Sequence, residues 1–311
     1  MRSYIAFLYR VSSIVVLLAV GVCLSSHSAL ADSFSWQSVN GLNWNTPVES
    51  QFGGSCWDFS ACATLEAKYK LTRNDASFDD DVSEEEVCWE QYMGSSANGG
   101  WGPSVLTYFT THGVVSAAEC PYQPSSPDTG IAPYWPLSSG WQNRAWMSTS
   151  NLNDFVGGVG TATIATMKNY IKTTGPLEVG IWAGNDLYTS VADMKANYRA
   201  PNSSTLDHEV SLVGYVDDAT CPTGGYWIIK NSWGYSDNTI GDYGNNGYYI
   251  IPYGNIEVHN DISSITGAVY YTGAMATVTW GGGTGTWSLG GGNWSGSDQY
   301  GNALPTYAWE N

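Results

Sequence analysis

The chain is short of charge, and of positive charge above all. Charged residues make up 13% of 311 positions, and 11 bases stand against 28 acids, a formal net charge of −17. That balance leaves no basic stripe to track a phosphate backbone, which excludes nucleic-acid binding. Cysteine is sparse too. The six present form no Cys-x-x-Cys pair and no Cys/His cluster at zinc spacing, so a structural zinc site is not expected. The acidic stretch from Asn74 to Glu86 lacks the oxygen-ligand spacing of an EF-hand. It reads as a solvated loop ending in a capping box, Ser83 with Glu86 three residues on. No metal and no cofactor are expected. Beyond Leu24 no apolar run approaches the ~20 residues that a membrane-spanning helix needs.

What the chain does have is aromatic residues, 14% of the total, and enough length to bury a real core in one or two compact units. Such a composition is globular. Residues 1–31 read as a signal peptide. Arg2 and Arg10 give the positive start, Val11 to Leu24 the apolar run, and Ala29-Leu30-Ala31 the small-residue site before Asp32. An uncleaved anchor is the alternative. Export to the medium or the cell surface follows, and Cys23 leaves with the peptide. Five cysteines then remain, and an odd count in an exported chain predicts a free thiol.

The stretch from Thr46 to Glu66 is where a thiol could do chemistry. A Pro-containing extended piece passes through Gly53-Gly54 and enters an apolar run at Cys56, with Asp58, Ser60 and Thr64 as its polar positions before Leu65. A helix apolar nearly all round is buried. Cys56 would stand at its mouth, where free backbone N–H groups and the helix dipole favour a thiolate. Further on, His208 opens an alternating strand, Asp217 to Gly225 holds turn formers, and Tyr226 to Asn231 forms a second strand. An antiparallel hairpin sets the beginning of its first strand beside the end of its second. His208 and Asn231 thereby become neighbours.

Gln51 followed by Gly-Ser-Cys56-Trp57 resembles the nucleophile segment of the papain-like cysteine peptidases. Leu206-Asp207-His208-Glu209-Val210 is similar to that family's His motif, and Tyr226 to Gly234 to its Asn motif, in the expected order. Gly244 to Tyr248 resembles the strand entry that follows. The resemblance runs from about Asn45 to Pro252. It implies an α+β, two-lobed fold: residues 32–150 a helical lobe, residues 151–265 a β-rich lobe, and an active-site cleft between them. It also implies hydrolysis of protein or peptide substrates without metal or cofactor. Cys56 would be the nucleophile, held ionised by a neighbouring imidazolium, and His208 the general acid and base. Asn231 would orient the imidazole, with Trp233 covering that bond from water, and Gln51 would supply an oxyanion donor. Asn98, Gly99 and Gly100, with Asp207 and Trp233, would line the substrate site, and Cys88 would bridge to Cys120. Cys62 and Cys221 have no assigned partner.

The chain departs from the family in three places. Gln51 precedes Cys56 by five positions, one fewer than usual. Gly53 and Ala97 stand where a bridged cysteine pair usually does. Only Asp32 to Asn45 lies ahead of the nucleophile segment, where these peptidases carry an inhibitory prosegment.

Between the motifs, Pro103 to His112 reads as a helix capped by Gly113, with His112 at its end. Pro121 to Val159 reads as a connection between lobes, Thr163 to Thr173 as a helix, and Pro176 to Ile181 as the start of a strand. Asp186 to Asn202 is ambiguous and reads as a surface insertion. In residues 266–311, Trp280, Trp287 and Trp294 recur every seven residues within glycine-rich sequence. This resembles the first unit of an autotransporter passenger repeat, which would attach the chain to a cell surface, or else a flexible tail. An inactive binding module and an acyl transferase on the same scaffold are the competing functions.

Overall fold

The structure is a computed structural model. It describes residues 32–92, 99–118, 120–122, 145–147, 152–154, 163–201, 205–234, 246–257, 259 and 261–271, and four short strands beyond them. The expected signal peptide, Asn98 and most of the 121–159 connection lie outside the described residues.

In chain order the elements are β1 (Ser33–Ser35), α1 (Cys56–Arg73), α2 (Glu84–Tyr92), α3 (Gly102–His112), β2 (Ala145–Met147), β3 (Leu152–Asp154), α4 (Ile164–Thr173), β4 (Leu177–Ile181), α5 (Ala183–Asp186), α6 (Val191–Asn197), β5 (His208–Asp217), β6 (Gly225–Lys230), β7 (Tyr248–Pro252), β8 (Ile262–Ile265) and β9 (Val269–Tyr271). After them come β10 (Thr277–Trp280), β11 (Trp287–Leu289), β12 (Trp294–Ser297) and β13 (Tyr307–Trp309). A seven-stranded sheet runs β3-β8-β4-β5-β6-β7, with β1 added along β5, and each of its pairings is antiparallel. The architecture is α+β, as expected.

Three clusters of buried side chains hold the described residues, two of them large. Leu177, Val179, Val210, Leu212, Trp227 and Ile229 centre the sheet's core, and Met167 and Ile171 of α4 pack on it. Trp57, Ala61, Leu65, Val87, Leu106 and Phe109 form the core of α1 to α3. The chain ends trade places between them. Trp36 and Trp44, ahead of α1, join the sheet's core, while Ile265 and Val269 join the helical one. Each of these two clusters is therefore strapped by a segment from the other end of the sequence.

Helix α1 is buried on all sides from Trp57 to Ala67, in keeping with its apolar sequence. It stops at Asn74, whose left-handed φ of 52° returns its N–H to the carbonyls of Lys70 and Leu71. Thr163 caps α4 by accepting from the Thr166 N–H, and Gly113 ends α3 at φ 68°. His112 is the last residue of α3, as read. The stretch from Asp186 to Asn202 is no mere surface insertion. Tyr188 and Met194 are buried against Val213, Ile228 and Ile250.

The acidic stretch also differs from expectation. Ser83 does accept from the Glu86 N–H, at 2.9 Å. The Glu86 carboxylate turns inward and accepts from the Val115 N–H at 2.7 Å and the Tyr108 hydroxyl at 3.1 Å, so the box closes on one side only. Glu84, Glu85 and Glu86 are all buried. In the tail β10 pairs with β12 and β11 with β13, which sets Trp280 opposite Trp294 and Trp287 opposite Trp309.

Candidate active site

Cys56 is the first residue of α1, and its Sγ lies against two backbone N–H groups, those of Glu209 and Trp57, which stabilise a thiolate. Glu209 immediately follows His208. The nucleophile candidate of one lobe thus meets the first strand residues of the other. The hairpin of β5 and β6 is antiparallel, with Ser211 opposite Lys230, and a bulge between Leu212 and Gly214. It carries His208 and Asn231 together, as its sequence required. His208 Nε2 lies 2.7 Å from Asn231 Oδ1. The same oxygen accepts from the Ser232 N–H at 2.8 Å, which fixes the amide with its oxygen toward the ring. His208 therefore donates from Nε2 and leaves Nδ1 as the acceptor. Trp233 stacks on the imidazole, with centroids 4.8 Å apart and planes at 24°. Its outer face stays in solvent, 45% exposed.

Burial acts against charge on both partners. It pushes the Cys56 thiol up to about 12, aided by the nearby carboxylates of Glu209 and Asp58 and opposed by the Glu209 and Trp57 N–H groups. It pulls His208 down, opposed by the Asn231 bond and the charge of Asp207. Burial thus works against the charged form of each group taken singly.

Gln51 is held by the Asn-motif segment. Its N–H donates to the Ser232 carbonyl at 2.7 Å, and its side-chain oxygen accepts from the Ser232 hydroxyl at 2.7 Å. One amide hydrogen on Nε2 goes to the Gly53 carbonyl at 3.0 Å, inside the shortened loop, and the other remains for a ligand. Tyr122, which the sequence did not point to, props this loop from behind, its hydroxyl 2.9 Å from the Phe52 N–H and 3.1 Å from the Ser55 hydroxyl. Gly100 packs its backbone on the Trp57 indole so closely that a Cβ would run into the ring. Asp207 accepts from the Ala183 N–H at 2.8 Å.

The expected Cys88–Cys120 bridge is absent, and all five described cysteines are free. The Cys88 thiol is directed at the buried Asp58 carboxylate, while the Cys120 segment is fixed by its carbonyl on the Ser83 hydroxyl at 2.6 Å. Beside His208 the structure adds a feature the sequence did not announce. Glu209 accepts from the Gly102 N–H at 2.6 Å and meets Glu178, which also takes the Ser60 hydroxyl at 3.3 Å. A Cβ on Gly102 would collide with both carboxyls. Glu178 stands opposite Ser211 in the pairing of β4 with β5, diagonal to Glu209, and strand periodicity alone gives no sign of that meeting.

A family model described as papain family cysteine protease matches residues 30–270, well over half of the chain. The chain belongs to the papain family. Cysteine proteinase 1 of Zea mays is 31% identical over 239 residues, covering 71% of this chain and 56% of its own length. Fruit bromelain of Ananas comosus is 25% identical over 221 residues, covering 67% and 53%. The chain spans about half the length of these papain-family relatives. Among solved structures, bromelain of Ananas comosus in complex with the E64 inhibitor aligns with a TM-score of 0.51 at 24% identity, over 77% of this chain and 97% of that one. The cysteine protease and lectin-like domains of Cwp84, a surface layer associated protein of Clostridium difficile, align at 0.59 with 19% identity, over 86% and 56%. These likenesses establish the papain-like fold.

Proposed function

We propose that this chain is an exported endopeptidase that hydrolyses peptide bonds through Cys56, His208 and Asn231. The observation that carries the reading is the 2.7 Å bond between His208 Nε2 and Asn231 Oδ1, with Cys56 Sγ against the N–H of the residue next to His208. Burial opposes charge on each group taken singly, and the ion pair between Cys56 and His208 would work against it. His208 Nδ1 takes the thiol proton as Sγ attacks the peptide carbonyl. The oxyanion is received by the Cys56 N–H at the helix start and the free amide hydrogen of Gln51. His208 then protonates the leaving amine and activates the water that frees the acyl group, while Asn231 holds the ring in one orientation. Substrate backbone runs past Gly99 and Gly100, with Asp207 and Trp233 on the opposite wall. Export through residues 1–31 and display through the Trp-rich tail complete the reading.

An epoxysuccinyl reagent tests it. Cys56 is expected to be labelled one-to-one in the full chain, with labelling lost in His208→Ala and casein hydrolysis lost in both His208→Ala and Cys56→Ala. Folded protein that neither labels nor hydrolyses would refute the proposal, in favour of an inactive binding module.

A further inference from the structure

Behind the cleft lies a cavity of about 750 Å³ that none of Cys56, His208 and Asn231 lines. Three acids from three segments converge on it: Glu49 ahead of α1, Asp81 from the link between α1 and α2, and Glu84, the first residue of α2. One oxygen from each lies within 4.8 Å of the other two. The backbone imposes this meeting. The Asp81 carbonyl accepts from the Ala117 N–H at 2.7 Å, and the Ser83 N–H donates to the Val115 carbonyl at 2.9 Å. The Glu49 carbonyl accepts from the Gly234 N–H at 2.8 Å. Of the three side chains Glu84 is buried, Glu49 half-buried and Asp81 exposed.

Glu84 is the telling member. It is 1% exposed, its Oε1 has no donor among the described residues, and the Glu49 carboxyl is the group its side chain meets. Two carboxyls that meet in a buried place need a proton or a cation between them, since a buried acceptor left with neither costs of order 1–3 kcal/mol or more. Glu66, also buried, adds a fourth acid nearby, but its oxygens are taken by the Thr46 hydroxyl at 2.5 Å and the Val82 N–H at 3.0 Å. Lys230 eases the charges of Glu66 and Asp81, yet its ammonium is held by Thr46 at 2.8 Å. Lys70 is engaged by Asp79 at 2.9 Å. Burial first, and then the Glu49 charge, raise Glu84 well above the usual carboxylate range and push Asp81 up to about 7.

Oxygen donors without nitrogen or sulfur select a hard cation. Three carboxyl oxygens within 4.8 Å of one another can all reach one Ca²⁺ at about 2.3–2.6 Å, and its tolerance of irregular geometry suits ligands drawn from three segments. We propose that Glu49, Asp81 and Glu84 bind one Ca²⁺, with water from the cavity completing its shell. The ligands are scattered over three segments, so neither zinc nor EF-hand spacing could have announced them. The ion would clamp α2 to the segment that carries Gln51 two residues after Glu49. The claim stands apart from the peptidase reading and is tested without a peptidase assay.

The full chain, stripped with EDTA, is titrated with Ca²⁺ and separately with Mg²⁺ by calorimetry at pH 8, and its Tm is followed against each ion. One Ca²⁺ per chain is expected, with a Tm that climbs with ion concentration. Asp81→Asn and Glu84→Gln are near-isosteric and should weaken binding at least about tenfold while their metal-free Tm stays at or above that of the parent. Absence of heat and of any Tm change up to about 10 mM Ca²⁺ would overturn the site, since even weak extracellular Ca²⁺ modules are filled by then. So would an unchanged response in both variants, or tighter binding of Mg²⁺ than of Ca²⁺.

Discussion

At the scale of single residues, the active site depends on who donates to whom. Asn231 Oδ1 accepts from both the imidazole and the Ser232 N–H, so the ring's tautomer is written into the main chain. Asn231→Ala would free the ring to rotate and present the wrong nitrogen to Cys56. Loss of about 10²–10⁴ in kcat/KM is expected, in the range of one positioned acid–base group, and steady-state kinetics on a fluorogenic peptide would check it. Gln51 is a different case, because the shortened loop ties one amide hydrogen to the Gly53 carbonyl. If the other reaches the oxyanion, Gln51→Ala lowers kcat by about 10²–10³ with KM little changed. An unaltered kcat would mean that the Cys56 N–H stabilises the oxyanion without it.

Secondary-structure elements explain why some of the site was legible and some was not. The helix with Cys56 at its mouth and the hairpin joining His208 to Asn231 follow from apolar patterning and turn formers, which act locally and leave a local signature. The acids do not. Glu86 was read as a solvated cap and turns inward to serve Val115 and Tyr108, because a carboxylate goes to whichever N–H the tertiary fold strands. Removing it in Glu86→Ala would leave that buried N–H unpaired and cost about 1–3 kcal/mol, measurable by urea unfolding. The disulfide failed for a related reason. Family spacing put Cys88 with Cys120, but the Cys88 thiol points to Asp58. Alkylation of unfolded, unreduced protein should therefore modify both cysteines, and reductant should leave the Tm unchanged. A linked pair of Cys88 and Cys120 peptides in the non-reduced digest would contradict it.

The whole molecule is a strongly acidic chain that buries a share of its acids where sheet and helices meet, and its stability should carry that mark. Around the Glu209 carboxyl stand Glu178 of β4, which also takes the Ser60 hydroxyl of α1, Asp261 ahead of β8 and the Gly102 N–H at the start of α3. Burial first, and then the Asp261 charge, push Glu209 up to about 8, against help from Glu178 and the Gly102 N–H. Glu178 is raised well above the carboxylate range by burial and by Glu209. Both groups hold their protons in the folded chain at a pH where the unfolded chain, with ordinary pKa values near 4.3, has released them. The folded state then binds more protons than the unfolded one, so stability falls as pH rises. Their contribution is fully present below about pH 4 and drains away up to about 8, the value reached by Glu209. Tm is thus expected to fall steadily from pH 5 to pH 8, measured at constant ionic strength with chelator present throughout. Glu209→Gln keeps the size and an oxygen for Gly102 but cannot ionise, so its Tm should fall less steeply over the same range. Parallel profiles for parent and variant would show that the proton is not held there, and a Tm that rises with pH would place the buried acids in their charged form.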